Sequence, residues 1–244
     1  MRIMVYNIAY GTGCPGAEFK RVFTSHRYLR SGRRQIDRIA EYVREHQVDL
    51  LGLVETDLGS FRTGGRSQVD YLAKKLGMKA ASAVKYSIDS LANRVPIIRH
   101  QANALLSGTA GIARTHYMTA GFKRMALEVE FAEFSVVLVH LALSRQVRQQ
   151  QLDDLAKLLA DRKRLIVGGD FNTFAGEKEI ARFKRRLHLY NPNVAKEPTY
   201  PAWQPFKQLD YLLFSENMVV TDFQVGELQA SDHLPILADF ELID

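Results

Sequence analysis

The stretch Leu165-Ile166-Val167-Gly168-Gly169-Asp170-Phe171-Asn172-Thr173 constrains this chain more than any other. Its three leading apolar residues, two of them β-branched, read as a buried strand. The two glycines predict a tight turn that brings Asp170 and Asn172 out at the strand's end, where α/β enzymes place their chemistry. If extended geometry persists, the two polar residues share a face and converge on one small volume. An anionic oxygen beside a neutral amide suits a nucleophilic water or a phosphate. The same Gly-Asp-x-Asn run also fits an Asx-type turn that only closes a strand.

The pattern recurs along the chain. Residues 2–6 read as a short buried strand delivering Asn7, 49–55 as a second ending on Glu55, and 136–140 as a third ending on His140. A strand over 208–214 carries Asp210 near its start, and strands over 218–225 and 237–242 flank Ser231-Asp232-His233-Leu234-Pro235. Further strand-like pieces lie near 80–86, 104–106, 124–131 and 134–140. Helical spacing of Ile36, Ile39, Ala40 and Val43 predicts a helix over 35–45. Val69, Leu72, Ala73 and Leu76 predict another over 68–76 that stops at Gly77. A third spans 145–160, a short one covers 177–183, and Pro198 to Pro205 forms a rigid loop around Trp203.

With 46% hydrophobic residues among 244, the chain can bury a real core. No linker, low-complexity run or internal repeat interrupts it, so a single domain over 1–244 is expected. A net charge of +6 favours anionic partners without naming one. Cys14 is the only cysteine, which excludes an intrachain disulfide. Neither a signal peptide nor a membrane-spanning run is visible, so a soluble, cytoplasmic protein is expected. The segment up to Gly32 is rich in Gly and Arg. Lys20, Arg21, His26, Arg27, Arg30, Arg33 and Arg34 alternate there with Phe19, Phe23 and Tyr28. It reads either as a phosphate-binding flap, with Arg27 and Arg30 as substrate contacts, or as a solvated loop pinned by its aromatics.

Taken in order, Asn7, Gly52-Leu53-Val54-Glu55, His140, Gly169-Asp170-Phe171-Asn172, Leu209-Asp210-Tyr211 and Ser231-Asp232-His233-Leu234-Pro235 resemble the successive motifs of the endonuclease/exonuclease/phosphatase superfamily. The resemblance runs from residue 3 to about 240. It implies a four-layer α/β sandwich, two mixed sheets face to face with helices outside, and a deoxyribonuclease I-like site at one rim. It also implies a Mg²⁺ or Mn²⁺ ion held chiefly by Glu55, with Asn7 and Asp232 completing or orienting its shell, as suits a hard cation that keeps several waters. By the same resemblance Asp170 is the general base, Asn172 bonds the water or a phosphoryl oxygen, and His233, kept protonated by Asp210, binds the phosphate. His140 donates a second hydrogen bond or assists the leaving group; taken alone, it also fits a satisfied core histidine. Arg148 and Gln151 resemble an Arg-x-x-Gln pattern of the family, and Arg148 and Trp203 join Arg27 and Arg30 as candidate substrate contacts.

The substrate is less constrained. Abasic-site endonucleases of the superfamily show an Asn-x-Tyr-x-Pro-Asn-like third motif, where this chain has Val139-His140-Leu141-Ala142. A phosphodiesterase or phosphatase acting on a small or lipid-derived phosphate is the first reading. A DNA or RNA nuclease is the second, supported by the basic 20–34 segment and by Arg182, Lys184, Arg185 and Arg186. A binding protein on a silent scaffold is the third, disfavoured because every expected catalytic residue type is present. The sequence carries no signal for oligomeric state.

Overall fold

The computed structural model describes residues 1–14, 32–85, 98–121 and 124–243. Two mixed six-stranded sheets lie face to face. The first holds β1 (Arg2–Asn7), β2 (Leu50–Asp57), β3 (Lys79–Val84), β4 (Gln101–Ser107), β11 (Met218–Val225) and β12 (Ile236–Leu242), in the order β11-β12-β1-β2-β4-β3. The second runs β5-β6-β7-β8-β10-β9, from β5 (Ile112–Tyr117), β6 (Met125–Glu130), β7 (Ser135–His140), β8 (Leu165–Asp170), β9 (Leu189–Tyr190) and β10 (Asp210–Ser215).

Alternation along each strand divides the core into three. Ile3, Val5, Leu105, Leu138, Ile166 and Leu212 meet between the sheets. Met4, Leu51 and Leu53 on the opposite face pack under α1 (Arg33–Glu45) and α2 (Gln68–Leu76). Val137, Val139 and Val167 pack under α3 (Arg145–Leu158) and α4 (Ala181–Arg186). The result is a four-layer α/β/β/α sandwich. Central strands covered on both faces need near-continuous apolar sequence, which is why β1, β2, β7 and β8 were legible as strands.

Four readings change. The glycines of the Leu165–Thr173 stretch do not make a turn; they lie inside β8 because neighbours approach too closely for a side chain. A Cβ on Gly168 would stand 2.9 Å from Val5 of the facing sheet, and one on Gly169, at φ +137°, would stand 2.0 Å from the Val139 carbonyl oxygen. Arg33 and Arg34 form the first turn of α1 and not the end of a flap. The helix expected over 177–183 is a 3-10 turn at Glu177–Glu179 followed by α4. The sequence reading missed β5 and β9, and β5 is exposed along most of its length, so no apolar alternation marks it.

Parallel pairing of β1 with β2, and of β7 with β8, sends four C-terminal strand ends to one rim. Antiparallel β10 brings its N-terminal end to the same rim, so that His140, Asp170 and Asp210 stand in register across β7, β8 and β10.

Candidate active site

Asp170 is at the centre of this rim. Its Oδ1 accepts the Asn172 backbone N–H at 3.0 Å, the bond of an Asx turn, so the turn reading and the functional one describe the same residue. Its Oδ2 accepts from Asn7 Nδ2 at 3.1 Å and faces His140 Nε2 at 3.5 Å and His233 Nε2 at 3.9 Å. The extended geometry does not persist: Asn172 takes φ 51°, and its Nδ2 donates to the Leu141 carbonyl at 2.9 Å, tying the end of β8 to the chain leaving β7.

Glu55 reaches the rim through a bulge. The β2–β4 register slips between Leu53 and Thr56, and Glu55 takes φ 59°, an arrangement that re-aims a side chain at a strand end. Its Oε1 accepts from the Tyr10 hydroxyl at 3.2 Å and lies 3.5 Å from Lys85 Nζ and 3.4 Å from His140 Nδ1. Tyr10 is held from beneath by the buried Arg62, whose guanidinium lies 4.1 Å from the ring centre while its Nε and Nη2 bond Asp57.

His233 forms the opposite wall. Its Nδ1 lies 2.8 Å from Asp210 Oδ2, which also accepts the Thr199 hydroxyl at 2.6 Å. Burial disfavours a charged imidazole, but the Asp210 carboxylate outweighs it, with Asp170 and Asp232 adding to the field, and the His233 pKa is pushed up to about 10. The ring is therefore imidazolium at neutral pH. Tyr200 covers it at 4.9 Å between ring centres.

The remaining predicted residues fall as follows. Asp232 is half-buried beside His233, its carboxylate 3.3 Å from the Ser231 hydroxyl and its carbonyl accepting from Ala202. Trp203 is half-buried on the following turn, facing a groove shared with Pro198, Val225 and Leu234. Arg27 and Arg30 lie outside the described residues, as does most of the 20–34 segment. Arg148 is corrected from substrate contact to structural tie. It is buried, it donates to the carbonyls of Ala142 and Leu143, and it pairs with Glu179. Gln151 likewise bonds Ala142 and Ala120. Lys85, Tyr10 and Thr199 were missed, because a lysine after a weak strand and a hydroxyl in a Pro-rich loop carry no spacing signal.

These donors can be tested for a divalent cation. Among the described residues no cluster of three His, Cys, Asp or Glu side chains is set to hold a metal. A half-buried carboxylate on a bulge does fit a hard ion that takes one or two carboxylates and keeps most of its own water. Glu55, with Asn7 and Asp232 as candidates around it, is the residue that would hold it.

No curated protein sequence matches the chain significantly. Solved structures do, at the level of fold. The human Nocturnin catalytic domain with bound sulfate shares 23% identity and a TM-score of 0.69 over 99% of this chain and 93% of that one. A mannosyl-6-phosphatase from Bacteroides thetaiotaomicron shares 15% and 0.72 over 99% and 100%. A Neisseria 3′ phosphatase bound to a product DNA hairpin shares 12% and 0.64 over 99% of each chain. The model of the endonuclease/exonuclease/phosphatase family matches residues 4–233. With the two-sheet sandwich and the motif residues at one rim, that match over nearly the whole length means that the chain belongs to the endonuclease/exonuclease/phosphatase family.

Proposed function

We propose that this chain is a Mg²⁺- or Mn²⁺-dependent phosphoester hydrolase acting on a small or lipid-derived phosphate by direct attack of water. The observation that carries this reading is the placement of Asp170 Oδ2 between Asn7 Nδ2, His140 Nε2 and His233 Nε2, at 3.1, 3.5 and 3.9 Å. Phosphoryl transfer needs charge neutralised on the phosphoryl oxygens, an oriented nucleophile and a protonated leaving oxygen, and this rim offers a group for each. A divalent ion on Glu55 would supply Lewis-acid neutralisation of phosphoryl charge. Asp170 takes the proton of the attacking water while Asn7 and the Asn172 backbone N–H fix its two oxygens. The His233 imidazolium, held by Asp210, neutralises a phosphoryl oxygen. His140 donates through Nε2 to a second oxygen or to the leaving group. A primary amide carries two N–H donors, and the one Asn172 does not direct at Leu141 is assigned to the water or to phosphate.

A nuclease is the second reading, and a rim surface favours it. Phe174 and Phe206 are 44% and 67% exposed, and Lys207 Nζ lies 5.9 and 5.7 Å from their ring centres, next to the Asn172 turn. Exposed rings with interleaved lysines can stack bases and bind backbone phosphates. The test is Mg²⁺- and Mn²⁺-dependent hydrolysis of bis-nitrophenyl phosphate and nicking of supercoiled plasmid, side by side, with Asp170→Asn as the blank. Diester turnover with intact plasmid supports the first reading, and nicking absent from the blank supports the second. No hydrolysis of either, or of a phosphomonoester, refutes both. No helix of the described residues is long and apolar enough to cross a membrane. We further place the protein in the cytoplasm, as one domain.

A further inference from the structure

Asn103 of β4 is 0% exposed, and among the described residues neither its Oδ1 nor its Nδ2 has a hydrogen-bond partner. A carboxamide carries two N–H donors and two lone pairs, and a buried one left unmet costs as much as a lost hydrogen bond or more. Its neighbours Ala83, across the β3–β4 ladder, and Leu105, two residues along β4, belong to the apolar layer between the sheets. Packing alone would be served better by a leucine. An unmet buried amide therefore calls for a small polar partner that the chain itself does not supply.

The position of Asn103 says what that partner serves. Ala104 and Leu106 pack under the helices and Leu105 packs between the sheets, so alternation turns Asn103 between the sheets as well. The β2–β4 register pairs Leu53 with Ala104 and then Thr56 with Ala102, which leaves Val54 and Glu55 together opposite the single residue Asn103. The Thr56 hydroxyl donates to the Ala102 carbonyl at 2.9 Å and pins the rung beside it. Asn103 thus stands across from the bulge that aims Glu55. The Glu55 carboxylate also enters the space between the sheets, since its Oε1 lies 3.4 Å from Nδ1 of His140 on the other sheet. Cross-strand neighbours have Cβ atoms about 4.5–5.5 Å apart, a gap that one water between the two side chains spans. Buried waters sit where they can bond otherwise unmet polar groups.

We propose that Asn103 is a positioning residue of the ion site: its amide binds a buried water beneath the bulge, and that water fixes the carboxylate of Glu55, the residue that would hold the divalent cation. This rests on the phosphoesterase reading only for the presence of the cation. Asn103 touches neither ion nor substrate and acts through Glu55.

The test is Mn²⁺ binding to the full chain, followed by the electron paramagnetic resonance signal of the free ion, alongside urea unfolding of the metal-free protein. Asn103→Leu fills the same space and removes every hydrogen-bonding position. Its Mn²⁺ dissociation constant is expected to rise ~10–100-fold, the range for loss of a partner that orients a metal ligand. Its metal-free form should unfold at the same urea concentration as wild type or a higher one, because an apolar group relieves the unmet amide. Asn103→Thr, whose hydroxyl can bond the same water, should recover part of the affinity. In wild type labelled with ¹⁵N-asparagine, the Asn103 Nδ2 protons, assigned by their loss in either variant, should show cross-relaxation with water. An unchanged Mn²⁺ affinity in Asn103→Leu overturns the proposal. A weaker affinity matched by lower metal-free stability also overturns it, leaving Asn103 a structural residue only. Should Asn103→Leu fail to fold, wild-type Nδ2 protons without water contact, or an Asn103→Thr affinity equal to that of wild type, still decide against it. Wild type that binds no Mn²⁺ sinks this proposal and the metal-dependent reading together. The expected shifts in a protein that hydrolyses no phosphoester would sink the functional reading and leave this one standing.

Discussion

His140 and His233 face the same oxygen, Asp170 Oδ2, through the same ring nitrogen, Nε2, from opposite sides. They differ at Nδ1. Behind His233 stands the Asp210 carboxylate at 2.8 Å, and behind His140 stand both the Lys85 side-chain nitrogen at 3.2 Å and the Glu55 carboxylate at 3.4 Å. The Asp210 carboxylate makes the first ring a cation, whereas the second ring sits between a basic and an acidic side chain. The same residue type thus stands in two electrostatic settings within one cleft. Environments that push like groups apart are how a site divides acid, base and electrostatic roles.

The largest effect should come from the group both rings share. Asp170→Asn keeps the shape and removes the proton acceptor, so kcat is expected to fall ~10³-fold with KM little changed, read by steady-state hydrolysis of a phosphodiester. Near-normal turnover would mean that the base is elsewhere. Glu55→Ala, on the His140 side, should abolish activity and the response to added Mg²⁺ or Mn²⁺, and a retained metal response would move the ion away from Glu55.

Asp210→Asn tests the His233 half. With that carboxylate gone, burial opposes the charge and only the more distant Asp170 and Asp232 still favour it, so the His233 pKa should fall below its value of about 10. A loss of ~10²-fold is expected at pH 8, shrinking as the pH is lowered and the ring regains its proton. The wild-type rate should show no His233 ionisation until about pH 10. Parallel pH profiles for the two proteins would refute the assignment.

How much of this was legible depended on where each residue's signal lay. Asn7, Glu55, His140 and Asp170 end or nearly end apolar strands, and an apolar run that stops on a polar residue is visible without a structure. Asp210 and the Asp232-His233 pair needed the family's order of motifs, since nothing local ties residues 210 and 233. Lys85 and Thr199 were hidden because their importance comes only from what the two sheets bring beside them. The glycines of β8 were visible but misread: sequence shows that a side chain is missing, not whether a turn or a close neighbour requires its absence. The bulge at Glu55 leaves no mark in Gly52-Leu53-Val54-Glu55 for the same reason.

The His233 half should also set a pH dependence of stability. A histidine whose folded pKa is raised from 6.5 to about 10 contributes stability that is fully present below pH 6.5 and is lost as pH rises through about 10. Urea unfolding of the metal-free protein from pH 6 to 10 should show a decline on the order of a few kcal/mol, absent in His233→Gln. An equal decline in both proteins would place its origin outside this pair.

The smallest effect, and the finest test of the separation, is Thr199→Val. The Thr199 hydroxyl donates to Asp210 Oδ2 at 2.6 Å and accepts the backbone N–H groups of Leu209 and Asp210 at 3.2 Å each. Replacing it removes a donor from the carboxylate and an acceptor from two buried N–H groups, a cost of ~1–3 kcal/mol in stability. A carboxylate with one donor fewer binds the remaining one more tightly, so Asp210 should hold the His233 proton at least as firmly as before. The rate is then expected to fall less than ~10-fold, through geometry and not through charge. In ¹⁵N-histidine spectra the His233 signals should shift while those of His140 stay in place, because the carboxylate that Thr199 bonds is the one that bonds His233. A matching shift at His140 would show that the two rings communicate through Asp170 and behave as a single coupled unit.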